Sequence, residues 1–127
     1  MNRERALKVV LVLVGLLFSA GIYPLTMSLW KMNESDYGDD MMLSLYFALG
    51  IFLLMAVRNP SANRSLIAFA AWSSFAHGAV MAVLAVHIPS ERGGLMGAAA
   101  VLVIIGITLI ALAPAKKSGE RASAPGA

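Results

Sequence analysis

Apolar residues gather into four blocks along the chain, at about residues 7–30, 41–57, 63–87 and 94–113, with a short polar connector between each block and the next. Coiled as α-helix, blocks of roughly 17–25 apolar residues match the thickness of a bilayer's hydrocarbon core. Nothing in the chain alternates with period two, as the strands of a membrane barrel do, and lipid forbids open sheet edges. The pattern therefore predicts an all-α membrane protein, an antiparallel four-transmembrane-helix bundle occupying residues 1–113. Residues 114–127 read as a disordered, basic cytoplasmic tail, and no internal repeat appears at a fixed period.

The connectors carry the signals expected between helices. KMNESDYGDD holds Glu34, Asp36, Asp39 and Asp40 against Lys31, placing acids before the second span, where a helix dipole is positive. In VRNPSANRS, Asn59-Pro60 ends one helix and offers a cap and first-turn residue to the next. Pro89, Ser90, Gly93 and Gly94 of HIPSERGG read as a turn. Arg3, Arg5, Lys8, Arg58, Arg64, Lys116, Lys117 and Arg121 fall on one side of the spans, and Lys31 and Arg92 on the other. Eight against two places both termini inside by the positive-inside rule, in a bacterial cytoplasmic (inner) membrane.

Composition agrees and narrows the function classes. The 127 residues are 59% hydrophobic and 13% charged, far from the quarter or so of charge in a soluble domain. No length remains for a separate soluble domain. The absence of cysteine excludes disulfides, thiolate metal sites and thiol relays, and a net charge of +3 gathered at the span ends is a topology signal that does not suggest nucleic acid. MNRERALK followed by VVLVLVGLLFSA also has the layout of a secretory signal. Phe18, however, stands where a cleavage site wants a small residue, so the block is read as a span.

Candidate chemistry lies with the polar groups inside the spans: Ser19, Tyr23, Pro24, Thr26 and Ser28 in the first, Ser44 and Tyr46 in the second, Ser73, Ser74 and His77 in the third, Thr108 in the fourth. No Asp, Glu, Lys or Arg lies deep in any block, so the buried carboxylate on which small proton-coupled exporters rely is missing. His77 is about ten residues from the outer end of its span, roughly 15 Å along a helix and near the midplane. At 100° per residue, Ala70, Ser73, Ser74, Met81 and Leu84 share its face, flanked by Gly78, while Trp72, Phe75, Val83 and Val86 point away. Ser74, Gly78 and Ala82 form a small-residue ladder suited to close helix contact, a role Gly15, Ser19, Gly97 and Gly106 can share.

Pro24 removes its own N–H and leaves the Ala20 carbonyl without its usual donor. Ala20 lies at the estimated depth of His77, so the imidazole or the Tyr46 hydroxyl is expected to donate toward it. A polar seam of His77, Ser73, Ser74, Tyr23 and Tyr46 follows, with Gly78, Ala82 and Pro24 shaping the helix contacts. The plain reading of that seam is structural hydrogen bonding between helices. Haem is the cofactor to weigh first, yet His87 sits about 280° round the helix from His77, so one chain cannot clamp haem between them; no cofactor and no metal site is expected. Trp30 and Tyr37 read as interface anchors, and the methionines as lipid- or core-facing side chains.

At GIYPLTMSLW (21–30) and RNPSANRSLIAFAAWSSFAHGAVMA (58–82), with SLYFALGIFLL between them, the chain resembles a family of small bacterial membrane proteins of unknown function. The resemblance implies a four-helix, multi-pass inner-membrane protein and no activity. Family members often carry a histidine just before the arginine of the RSLI word; Asn63 stands there here, which weakens a metal or proton role for that connector. The expected function is non-enzymatic: an accessory membrane protein binding a partner protein, a lipid or a second copy of itself. A small-solute carrier or channel using the seam around His77 is the alternative, and a quinone- or haem-binding redox subunit the third.

Overall fold

The computed structural model describes residues 2–31 and 37–114. Among them are five α-helices, α1 (Arg3–Ser19), α2 (Ile22–Trp30), α3 (Tyr37–Ala56), α4 (Arg64–His87) and α5 (Arg92–Leu112), with 3₁₀ turns at Pro60–Asn63 and Pro89–Glu91. α1 and α2 continue one another, so the helices make four segments long and apolar enough to cross a membrane, with mean hydropathies from 1.6 to 2.7. The expected acids Glu34 and Asp36, and the tail from residue 115 with Lys116, Lys117 and Arg121, lie outside the described residues.

α1 begins under an Asn2 cap, whose side-chain oxygen accepts the Arg5 N–H at 2.8 Å, and Glu4 in its first turn pairs with Lys8 at 3.6 Å. Its junction with α2 corrects the expectation about Ala20. Ahead of Pro24 the chain tightens to i→i+3 bonds: the Gly21 N–H donates to the Phe18 carbonyl and the Tyr23 N–H to the Ala20 carbonyl, each at 3.1 Å. The carbonyl that Pro24 deprives of a donor thus finds one within its own segment, a usual repair at a proline break.

Two helix starts also differ from the hydrophobic pattern. α3 starts at Tyr37 rather than 41, because Asp39 and Asp40 are accommodated in its first turn, where acids favour the helix dipole. α5 starts at Arg92, so Gly93 and Gly94 are helical and not part of the turn. Arg92 folds back instead: its Nε donates to the Ala85 carbonyl at 3.0 Å and a terminal nitrogen to Val86 at 3.4 Å, satisfying carbonyls at the end of α4.

α4 packs most extensively on α5, and α1 on α3, while α3 and α4 meet only lightly. Glycines set the two close seams. A Cβ on Gly50 of α3 would come within 2.6 Å of the Ser19 nitrogen and 2.8 Å of the Gly15 carbonyl oxygen, so only a bare Cα permits that approach. Across the other seam, a Cβ on Gly106 would meet the Phe75 ring at 2.7 Å and the Ala71 carbonyl oxygen at 3.0 Å. Phe75, expected to point away to lipid, is therefore half-buried against α5. Gly97 has open space around it and closes nothing.

The buried cluster runs through Leu7, Leu11, Val14 and Phe18, the end of α3 at Leu53 and Ala56, the start of α4 at Ile67, Ala70 and Ala71, and the end of α5 at Leu102, Ile105 and Leu109. One end of the molecule is thereby closed. Two arginines tie it: Arg3 donates to the Ala113 carbonyl at 2.7 Å and Arg64 to Pro114 at 2.8 Å. Elsewhere most of the helix surface is outward. Between 22% and 28% of each candidate span is buried within the chain, and large apolar side chains such as Leu13, Trp72, Val86 and Ile104 are exposed, a surface suited to hydrocarbon and costly in water.

Candidate functional site

The light contact between α3 and α4 leaves a groove of about 620 Å³ along them, within the size range of small-molecule sites. Its walls are Met42, Leu45, Leu49 and Phe52 from α3 and Phe69, Ala76 and Val80 from α4, and its polar groups belong to Tyr46, Ser73 and His77. Residues 42, 45, 49 and 52 recur at helical spacing, which is why one face of α3 makes an entire wall. No charged side chain lines the groove among the described residues.

Tyr46 and His77 bridge it. The His77 Nδ1 lies 2.7 Å from the Tyr46 hydroxyl, with ring centroids 5.2 Å apart and planes inclined at 45°. Phe18 of α1 backs the tyrosine edge-on, its ring centroid 4.8 Å away at 79°, so the phenol is held from behind by aromatic packing and in front by a hydrogen bond. Both serines turn inward on their own helix: Ser73 Oγ donates to the Ala70 carbonyl at 3.2 Å and Ser74 Oγ to the same carbonyl at 2.7 Å. Such back-bonding satisfies a hydroxyl in an apolar setting without a neighbour. Ser74 is fully buried and does not reach the groove, whereas Ser73 lines it.

Compared with known proteins, the chain matches over residues 2–125 the model of a family described as "Family of unknown function (DUF6632)". It belongs to that family. No curated protein matches the chain, and no solved structure does.

In this DUF6632 chain the sequence-derived seam is divided. His77, Tyr46 and Ser73 come together at the groove. Tyr23 does not: it is 73% exposed, carried outward on the first turn of α2, and Pro24 beside it is also exposed. Gly78 follows His77 by one residue and so faces 100° away, toward Ala99 and Leu102 of α5. Ala82 lines a second hollow with Gly78, between α4 and α5. The small-residue ladder and the histidine thus serve different neighbours. His87 bonds its own helix, Nδ1 to the Val83 carbonyl at 2.9 Å.

Two participants escape a reading of composition by depth. Phe18 stands out in the sequence only for its bulk at a would-be cleavage site, although its position in the same block as Tyr23 and Pro24 puts it within reach of the second span. Asp40, placed by the sequence in the connector ahead of the second span, is buried to 7% exposure, and its Oδ2 has no hydrogen-bond partner among the described residues. Extending the helical phase backward from Gly50 through Phe47 and Leu43 arrives at Asp40, on the face turned to α1 and α2; that phase was the available signal.

Proposed function

We propose that this family member is a non-enzymatic, four-span protein of the bacterial cytoplasmic membrane that holds a lipid-soluble molecule in the α3–α4 groove. The observation that carries the reading is the groove itself: apolar along its length, open sideways where hydrocarbon would lie, and supplied at mid-length with one hydrogen-bonded His77–Tyr46 pair. Membrane ligands with a long apolar body and a single polar end match such a layout. An antiparallel arrangement is supported by the seam registers. Gly15 and Ser19 meet Gly50, and Gly21 meets Leu43, so α3 descends as the first span ascends; Gly78 meets Ala99 and Gly106 meets Ala71 in the same sense. Both termini inside is supported by the gathering of Arg3 and Arg64 with Ala113 and Pro114 at the basic end.

Filling the groove tests the reading. Ala76→Trp projects a bulky ring into it from α4 without touching either glycine seam. Full-length protein and the variant, extracted from native membranes into nanodiscs, are compared by native mass spectrometry. The wild type is expected to retain a lipophilic molecule that the variant has lost, at equal thermal stability. Equal retention by both, or none by either, overturns the proposal. The absence of cysteine allows single-cysteine labelling of the two chain ends to check their side in parallel.

A further inference from the structure

We infer that the groove's ligand is an uncharged lipid alcohol, its hydroxyl seated between His77 and Ser73; this rests on the lipid-binding reading above. Three observations converge on a hydroxyl. The first concerns the His77–Tyr46 pair. In either tautomer the 2.7 Å bond uses one proton and leaves a second donor, the imidazole Nε2–H or the phenol O–H, without an acceptor among the described residues; the tautomer taken here has the phenol donating to Nδ1 and the imidazole proton on Nε2. The second concerns what that proton does. His77 lines the groove, and Nε2 makes no hydrogen bond to any described residue, leaving a donor facing an apolar space. A donor left unpaired in such surroundings costs free energy, so a ligand oxygen there is favoured.

The third observation is Ser73. It stands one turn before His77 on the same face and lines the same groove, but its proton is committed to Ala70. What it presents is lone pairs. A site with a donor on Nε2 and an acceptor on Ser73 Oγ is completed by a group that accepts and donates at once, which a hydroxyl does and a ketone or ester carbonyl does not. A phosphate or carboxylate is disfavoured by the lining: among the described residues no Lys or Arg lines the groove, and an anion there would meet no counter-charge from them. Diacylglycerols, polyprenols and the reduced, hydroxyl-bearing form of membrane quinones share the required chemistry.

The test uses full-length protein in phosphatidylcholine nanodiscs. These are titrated in parallel with diacylglycerol, a polyprenol, a quinol kept reduced, the matching quinone, and phosphatidic acid of the same chains, with bound lipid read by native mass spectrometry. At least one alcohol is expected to bind about tenfold more tightly than the quinone or phosphatidic acid, and which alcohol does so separates a redox lipid from a glycerolipid or polyprenol source. His77→Phe is expected to abolish that preference and His77→Gln, which keeps a donor, to restore part of it. If His77→Phe does not fold, Ser73→Ala, which costs the fold one intrahelical bond and removes the acceptor from the site, is expected to bring alcohol and quinone to equal affinity. Equal binding of alcohol and quinone by the wild type, or tighter binding of phosphatidic acid, overturns the inference while leaving a lipid groove. Binding of no lipid beyond that of Ala76→Trp removes the groove reading itself.

Discussion

α3 has two neighbours and treats them oppositely. Toward α1 it offers Gly50, and the backbones of Gly15 and Ser19 come so near that a single Cβ would collide. Toward α4 it offers Leu45, Tyr46, Leu49 and Phe52, whose bulk holds that helix off and leaves a groove. Without a hydrophobic drive between helices in lipid, association depends on close packing, so the glycine seam holds the pair and the aromatic seam leaves room for something else. An open groove between two long apolar helices can thus come from side-chain size on one helix face, with no irregular backbone at all.

Substitutions can break or sharpen that contrast. The largest effect is expected at Gly50→Ala, whose new methyl meets the Ser19 nitrogen and the Gly15 carbonyl oxygen, backbone atoms that cannot turn aside, as well as Ser19 Oγ. It should destabilise the protein by about 3 kcal/mol, the upper end of overpacking costs, read as a lowered unfolding temperature in detergent. Gly106→Ala should cost less, about 1–2 kcal/mol, because the half-buried Phe75 ring has room to turn aside even though the Ala71 carbonyl oxygen does not. Tyr46→Phe keeps the packing on Phe18 and removes only the 2.7 Å bond to His77. About 1 kcal/mol is expected, as for other interhelical hydrogen bonds, and an unchanged unfolding temperature would mean that the pair does not brace the groove. Gly97→Ala is the smallest and has the opposite sign. With open space around it, the methyl should stabilise α5 by about 0.5–1 kcal/mol, and any loss there would place an unseen contact on that face.

Much of this was legible in the residues. Four apolar blocks with capped connectors locate the segments, because an apolar run long enough to cross a bilayer is visible without tertiary detail. Depth counting alone brought Tyr46 and His77 to one level. It could not bring Tyr23 inward, since depth says nothing of azimuth and the 3₁₀ tightening before Pro24 resets the phase of α2. The same gap explains the expectation for Phe75: on an ideal wheel it opposes His77, but in a helix packed on two sides the face opposite one neighbour belongs partly to the next. Asp40 falls outside the apolar pattern for a different reason. Its charge suggested solvent, while its place in the first turn of α3 lets the helix end share the cost of burying it.

The two arginines at the closed end have a mechanical consequence. Arg3 and Arg64 fasten the start of α1 and the start of α4 to the last residues after α5, so these helices share a fixed pivot at one end. A helix of some 20 residues is a lever of about 30 Å, and a tilt of about 5° at such a pivot moves its far tip by about 2.6 Å. The far end is where α3 and α4 lack the buried cluster. A small change of angle, too slight to disturb the fastening, is therefore multiplied by helix length into a displacement of ångströms at the open end.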